Sequence, residues 1–348
     1  MQIGGVSVSD TSDCYVIAEL GHNHQGDLEL AKKMILAASS AGANAVKLQK
    51  RSNRDLFTKA YYDKPYESEN SYGATYGEHR EFLEFGKDEY VELQAYSKQL
   101  GVEFFATAFD FQSADFLADL NVPAYKIASG DLTNIPLISH VASFGKPVIL
   151  STGGGTIEDV DRAVKCLLNL GVEFCIMQCT AGYPPSWDQM NLKVIETFRN
   201  RYKEIVVGLS SHDNGIAMAL VGYVLGARVV EKHFTLNRTF KGTDHAFSLE
   251  PPGMQKMVRD LRRAKIAFGD GEKIQYSTER EPLTKMGKKL VFAKDIEVGT
   301  VLGREHIAIK SPGGGLFPYQ ITEILGRKVK RAVKCDEDVQ LGDLTNEK

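Results

Sequence analysis

An α/β chain folded as a closed (β/α)8 TIM barrel, followed by a small C-terminal β-rich domain, is the fold class this sequence predicts, on three observations. Eight short runs rich in Val, Ile, Phe and Ala are bounded by Gly, Pro or Asn, and segments of helical periodicity follow them. Such alternation calls for right-handed βαβ units and a parallel sheet, and eight units over about 255 residues is the size of a closed barrel. After Gly269 the periodicity stops and a different texture begins.

In chain order the strands are YVIAEL from Tyr15, AVKLQ from Ala45, EFFATAF from Glu103, AYKIAS from Ala124, PVILST from Pro147, EFCIMQCT from Glu173, VVGLSS from Val206 and ARVVEKHF from Ala227. Amphipathic stretches at 28–43, 88–100, 157–170 and 192–202 lie between them, and Gly42, Gly101, Gly145, Gly171 and Gly226 stand where helix C-termini favour glycine. An open doubly wound sheet is the alternative architecture, but no GxGxxG follows the first strand. The barrel so read covers residues 1–269. Residues 270–289 are polar and aperiodic and read as a linker. Residues 290–348 read as short strands and turns, a domain with a thin core that leans on a neighbour or a second subunit.

The chain has 348 residues, 43% apolar and 25% charged, with a formal net charge of −3. That is ordinary globular composition. So weak a charge balance, with no block of Lys or Arg, argues against a nucleic-acid partner but leaves room for anion recognition by a few focused cations. The five cysteines, Cys14, Cys166, Cys175, Cys179 and Cys335, form no CxxC pair and suit a reducing cytoplasm. The N-terminal segment lacks the pattern of a secretion signal, and the longest apolar stretch, 215–227, is too short to cross a bilayer.

In a barrel of this kind the chemistry sits at the C-terminal ends of the strands. Polar residues gather there: Glu19, then Lys47 and Gln49, Thr107, Lys126 and Ser129, Ser151 and Thr152, Gln178 and Thr180, Ser210 to His212, and Glu231 to His233. Period two puts Lys47 and Gln49 on one face and sets Lys232 against His233, so one of that last pair faces the site. Lys47 and Lys126 are embedded in apolar runs. A lysine there is costly unless its charge meets an anion, and two of them beside Thr107, Ser129 and Ser151 point to a dianionic ligand. A structural ion pair is the bland alternative. The Gly-rich turn STGGGTIED carries a T-x-x-D helix start, whose free N–H groups suit an anion.

His212 and His233 end consecutive strands. Two neutral imidazoles with positions left for water and substrate oxygens suit a divalent ion such as Mn²⁺, with Mg²⁺ and Co²⁺ as alternatives. His22 and His24 form a second pair, which could equally hold the shape of their loop. Residues 50–87 form the longest insertion, aromatic and charged, and its place after the second strand puts it over the mouth as a substrate-covering loop.

Together the segments AELGHNHQGD, AVKLQK, TYGEHREFLEF, YKIASGD, LSTGG, QCTAGYP, GLSSHDNG and EKHFTLNRTFKGTDHAFSLEP resemble the sialic acid synthase family, and the tail after Lys289 is similar to its antifreeze-like (SAF) domain. The resemblance implies a phosphoenolpyruvate-dependent synthase in which the enol carbon attacks the open-chain aldehyde of N-acetylmannosamine or a relative and phosphate leaves. Carried residue by residue, it implies that His212 and His233 hold the metal. Lys47, Thr107, Lys126, Ser129, Ser151 and Ser210 would bind phosphoenolpyruvate, and Glu19, Gln49, Asp131, Tyr183 and Asp244 the sugar. Glu19, His233 and Lys126 would be catalytic, with Glu19 handling the proton. It also implies a homodimer in which each tail domain reaches over the partner's barrel.

Departures from the family pattern bear on the acceptor. Free-sugar bacterial members usually carry an Arg-Pro pair where this chain has Ser311 and Pro312, Ser-Gly-Glu where it has Ser129, Gly130 and Asp131, and Asn where it has Ala181. Asp131, TYGEHR and TFKGTDH look more like the animal enzymes that use the 6-phosphorylated sugar. N-acetylmannosamine, its 6-phosphate, a mannose relative and a diamino sugar all remain as acceptors. Two other functions stay open on the residues: a lyase forming a Schiff base through Lys126 or Lys47, and a non-catalytic sugar-binding protein.

Overall fold

A computed structural model describes residues 1–346. The chain divides into two compact units, Met1–Gly269 and Asp270–Lys348. In the first, eight parallel strands close on themselves: β1 (Tyr15–Gly21), β2 (Ala45–Lys50), β3 (Glu103–Ala108), β4 (Tyr125–Ile127), β5 (Val148–Ser151), β6 (Phe174–Cys179), β7 (Val206–Ser211) and β8 (Val229–His233). Closure is made by β8 pairing with β1, from Val229 opposite Tyr15 to His233 opposite Glu19, which excludes the open sheet.

Strands buried on both faces need apolar residues at successive positions, and that is how these runs read. Tyr15 to Gly21 is buried throughout, as are β4, β5, β6 and β8. The helices start where polar caps stand. Asp27 accepts from the Leu30 N–H ahead of Leu28–Ser40, Asp110 from Ser113 ahead of Phe111–Asp119, and Asn134 from Leu137 ahead of Ile135–Ser143. Thr156 and Asp159 form the reciprocal capping box that T-x-x-D announces. At Gly226 (φ +110°) a Cβ would lie 2.2 Å from Cδ of Arg199, so both the backbone and the space call for glycine.

Two features were not legible in the periodicity. A hairpin of two-residue strands, Gln2–Ile3 against Val6–Ser7, precedes the barrel and buries Ile3. Strands so short show no alternation to read. In the second unit the polar stretch read as a linker contains a helix, Arg280–Met286, whose Thr284 carbonyl accepts from Gly313 N–H at 2.7 Å. Seven residues make too few turns for an apolar stripe. Beyond it β9 (Lys289–Phe292) pairs antiparallel with β10 (Ile307–Lys310), around a core of Leu290, Phe292, Ile296, Ile307, Val329 and Leu344.

Candidate active site

At the C-terminal ends of the strands lies a cavity of about 510 Å³. Glu19, Lys47, Gln49, Thr107, Lys126, Ser129, Ser151, Tyr183, Ser210, His212, His233 and Asp244 all line it. The register explains the convergence. Glu19 stands opposite both His233 and Lys47, Thr107 opposite Gln49 and Lys126, and Glu231 opposite Ser210.

The floor is a buried charge network. Lys47 Nζ lies 2.5 Å from Glu19 Oε2 and 3.7 Å from Glu231 Oε1, and donates to Thr107 Oγ1 at 2.7 Å. Lys126 Nζ, 3% exposed as a residue, has no carboxylate partner among the described residues; it donates to Ser151 Oγ at 2.6 Å and to the Ile127 carbonyl at 2.9 Å. Burial lowers the Lys126 pKa, against the pull of the Glu231 carboxylate. Burial pushes Glu19 up to about 6, against the pull of Lys47 and with the repulsion of Glu231. For Glu231 burial acts in the same direction, but Lys47 and Lys126 outweigh it and hold the carboxyl below its ordinary value.

Gly21 shapes the wall above Glu19. Its φ is +51°, the β1–β2 register shifts between Glu19 and Gly21, and a Cβ there would sit 3.2 Å from both Gln49 Nε2 and Glu19 Oε1. Gln49 Nε2 donates to Glu19 Oε1 at 2.7 Å, so an added methyl would press on that contact.

The imidazoles of His212 and His233 lie 5.3 Å apart, centroid to centroid, with the Tyr183 ring 4.1 Å from His212. His212 Nδ1 lies 3.1 Å from the Thr180 carbonyl, an arrangement that protonates Nδ1 and leaves Nε2 as the lone-pair nitrogen. Burial lowers both rings' pKa values, His212 to about 4, so both are neutral as ligands must be. His233 Nδ1 is buried without a hydrogen bond, 3.7 Å from Asp244 Oδ2. No group of three or more His, Cys, Asp or Glu with metal-binding geometry occurs among the described residues. Two imidazoles are thus the protein donors that could hold a cation here, and its other positions would fall to substrate and water oxygens.

Two readings need correction. Asp131 does not line the cavity: its Oδ1 accepts from Asn134 Nδ2 at 3.0 Å, the cap of the following helix. The Gly-rich turn does not offer all its amides to a ligand, because Gly153 N–H donates to Ser129 Oγ at 2.9 Å. The two loop histidines separate in role. His24 is buried and stacked on Phe85 at 4.1 Å, whereas His22 lines the cavity. Of the opposed pair on β8, His233 faces in, and Lys232 faces away to Asp213.

Arg51, Arg80 and Glu231 also line the cavity; sequence named Glu231 among the strand-end polar residues but gave none of the three a role. Period two would have found two of them: Glu231 shares a face with His233, and Arg51 continues the face of Lys47 and Gln49. Arg80 comes from the insertion, on the helix Tyr76–Leu83, with Tyr72, His79 and Leu83 beside it in the cavity wall. The insertion is tied to the loop after β8, Tyr72 Oη donating to the Lys241 carbonyl at 2.8 Å and Gly242 N–H to Asn70 Oδ1 at 2.9 Å.

Comparison with known proteins identifies the family. Residues 34–273 match the NeuB family and residues 289–345 the SAF domain. The chain is 37% identical to human N-acetylneuraminate-9-phosphate synthase over 94% of its own length and 91% of the relative's. It is 33% identical to N,N'-diacetyllegionaminic acid synthase of Legionella pneumophila, over 94% of each chain. A crystal structure of N-acetylneuraminic acid (sialic acid) synthetase from Leptospira borgpetersenii superposes with a TM-score of 0.72 at 32% identity, covering 81% of this chain and 94% of that one. With its barrel, its tail domain and these relatives in agreement, the chain belongs to the NeuB family of sialic acid and related nonulosonate synthases.

Proposed function

We propose that this protein condenses phosphoenolpyruvate with the open-chain aldehyde of N-acetylmannosamine or a related hexosamine or hexose, giving a nine-carbon 2-keto sugar acid and phosphate. The observation that carries the reading is Lys126: a buried ammonium whose bonded partners are a hydroxyl and a carbonyl, on the floor of a cavity also lined by Lys47, Ser129 and Ser210. A lysine so placed is stabilised by a bound anion. Phosphoenolpyruvate supplies a phosphate and a carboxylate for the two ammonium groups and the hydroxyls between them.

In this reading the enol carbon forms the new bond to the aldehyde carbon while Lys47 and Lys126 hold the phosphate and carboxylate in place. Water adds to C2 and gives up a proton, for which the ionised Glu19 carboxylate is the acceptor, its pKa raised into the useful range by burial. Loss of phosphate with C–O cleavage then leaves the 2-keto acid, the leaving charge being met by Lys126. Gln49, Tyr183 and Asp244 orient the sugar. A divalent ion held by His212 and His233, Mn²⁺ or alternatively Mg²⁺ or Co²⁺, would polarise the aldehyde oxygen when bound. We also infer a homodimer in which the tail domain reaches the partner's barrel; light scattering should then report twice the 38.5 kDa chain mass.

The test is phosphate release from phosphoenolpyruvate with Mn²⁺ across free and 6-phosphorylated hexosamines and hexoses. Turnover above the enzyme-free rate with at least one acceptor, abolished by chelation, is expected. No turnover with any acceptor overturns the reading, and a borohydride-trapped pyruvate adduct would favour Schiff-base chemistry through Lys126 or Lys47 instead. His233→Ala should lose Mn²⁺ binding, read by electron paramagnetic resonance, while keeping the melting temperature within a few degrees.

A further inference from the structure

The floor of the same cavity also carries a thiol. Cys179 is the last residue of β6, 7% exposed, and it lines the cavity. In the barrel register it stands opposite Ser210, which stands opposite Glu231, so three consecutive strands present thiol, hydroxyl and carboxylate in one row on one face. Gln178, one position earlier, turns the other way and its Nε2 donates to the Met190 carbonyl at 3.0 Å. The Ser129 and Ser210 hydroxyls lie within hydrogen-bonding reach of the sulfur, and the Lys126 ammonium is close enough to act on it.

Cys175 shares that face four residues back, and its surroundings are those of a structural thiol. It is fully buried in the barrel core, does not line the cavity and donates to the Ile176 carbonyl at 3.7 Å. Cys179 has hydroxyls around it instead, and these are already engaged: Ser129 Oγ accepts from Gly153 N–H at 2.9 Å, and Ser210 Oγ donates to Glu231 Oε1 at 3.3 Å. Two observations independent of the thiol mark this row as facing a ligand. Glu231 Oε2 is buried without a hydrogen-bond partner, and the Lys126 ammonium meets a hydroxyl and a carbonyl but no carboxylate among the described residues. Burial raises the pKa of the Cys179 thiol against the pull of Ser129, Lys126 and Ser210, so at neutral pH it is an uncharged S–H donor and not a competing anion.

We propose that Cys179 donates its S–H to the anion held by Lys126, Ser129 and Ser210, so that the bound anion covers the sulfur and the empty cavity leaves it open to small thiol reagents. The inference rests on the synthase reading for the identity of that anion, phosphoenolpyruvate. Methyl methanethiosulfonate is a reagent small enough to enter a cavity of about 510 Å³. The Cys179 sulfur attacks its thiomethyl sulfur, a new S–S bond forms as the reagent's own S–S bond breaks, methanesulfinate leaves with the bonding pair, and the thiol proton passes to water. The thiomethyl group then stands where the anion would bind.

Calorimetric titration of phosphoenolpyruvate into metal-chelated protein tests the contact without turnover. Cys179→Ala should bind about tenfold more weakly than wild type, and Cys179→Ser, which restores a donor of similar size, within about threefold of it. Cys179→Asp, which sets a carboxylate beside the anion and competes for Lys126, should lose at least about a hundredfold. A thiol that only fills space predicts another order, with alanine neutral and serine no better. Peptide mass spectrometry after methyl methanethiosulfonate treatment should show Cys179 modified at least about tenfold more slowly under saturating phosphoenolpyruvate, while the exposed Cys335 reacts at the same rate in both. Equal rates at Cys179 overturn the inference, as does a Cys179→Ala affinity equal to wild type. A wild type that does not bind phosphoenolpyruvate sinks the synthase reading and this inference with it, whereas binding that neither needs nor covers Cys179 sinks the inference alone.

Discussion

Lys126 and Lys232 are both buried lysines on barrel strands, 3% and 2% exposed, yet they belong to opposite sides of the wall. Lys232 points outward from β8 and donates to the Asp213 side chain at 2.8 Å and to its carbonyl at 2.6 Å. Lys126 points into the mouth and meets a serine hydroxyl and a carbonyl. Burying a charge is tolerable only when something answers it. Lys232 finds that answer in the chain itself; Lys126 has neutral partners, and on the proposed function a ligand supplies the answer. Lys47 stands between the two, paired with Glu19 and near Glu231 at the floor of the same mouth.

The contrast is sharpened most by removing each lysine in turn. Lys126→Met should lower kcat/KM for phosphoenolpyruvate by about a thousandfold, since an anion-stabilising donor is lost from a water-poor site, and its thermal stability should match or exceed wild type. Steady-state kinetics and a melting curve decide it, and a large fall in melting temperature would place Lys126 with the structural lysines. Lys232→Met should do the reverse. Leaving Asp213 buried without its partner should cost roughly 3–5 kcal/mol of stability in denaturant titration, with kcat of the folded fraction close to wild type. A stable but inactive Lys232→Met would erase the distinction between the two faces.

A smaller effect separates the groups inside the cavity by pH. Burial raises the Glu19 carboxyl to about 6, so its ionised form fills as pH rises through that value. As proton acceptor it should give kcat/KM an acid limb there, the value falling about tenfold for each unit below. Glu19→Gln should be inactive at every pH, whereas Glu19→Asp should keep the limb with a lower plateau. A flat profile from pH 5 to 8 in the wild type would remove Glu19 from that role.

The barrel was legible because its strands are short apolar runs and many of the amphipathic segments between them end at glycine, as at Gly42, Gly101, Gly145, Gly171 and Gly226. Lys47, Lys126, His212 and His233 were legible because a charged or metal-ligating residue in such a run is conspicuous. Arg80 was not, because an arginine in a polar insertion looks like solvated surface until the insertion is folded over the mouth, whereas Arg51 was open to the same alternation as Lys47 and Gln49. Asp131 misled for a related reason: an acidic residue just past a strand end can brace the cap of the next helix as readily as face a ligand, and here it accepts from the cap residue Asn134, three residues on. Glu231 stood beside Lys232 and His233 without a role, although alternation places it on the histidine's face.

Calorimetric titration of phosphoenolpyruvate into metal-chelated wild type, Lys126→Met and Lys232→Met separates a binding lysine from a structural one. Wild type and Lys232→Met should bind with similar affinity, and Lys126→Met should lose about a hundredfold or more. Unchanged affinity in Lys126→Met would show that the buried ammonium does not hold the anion.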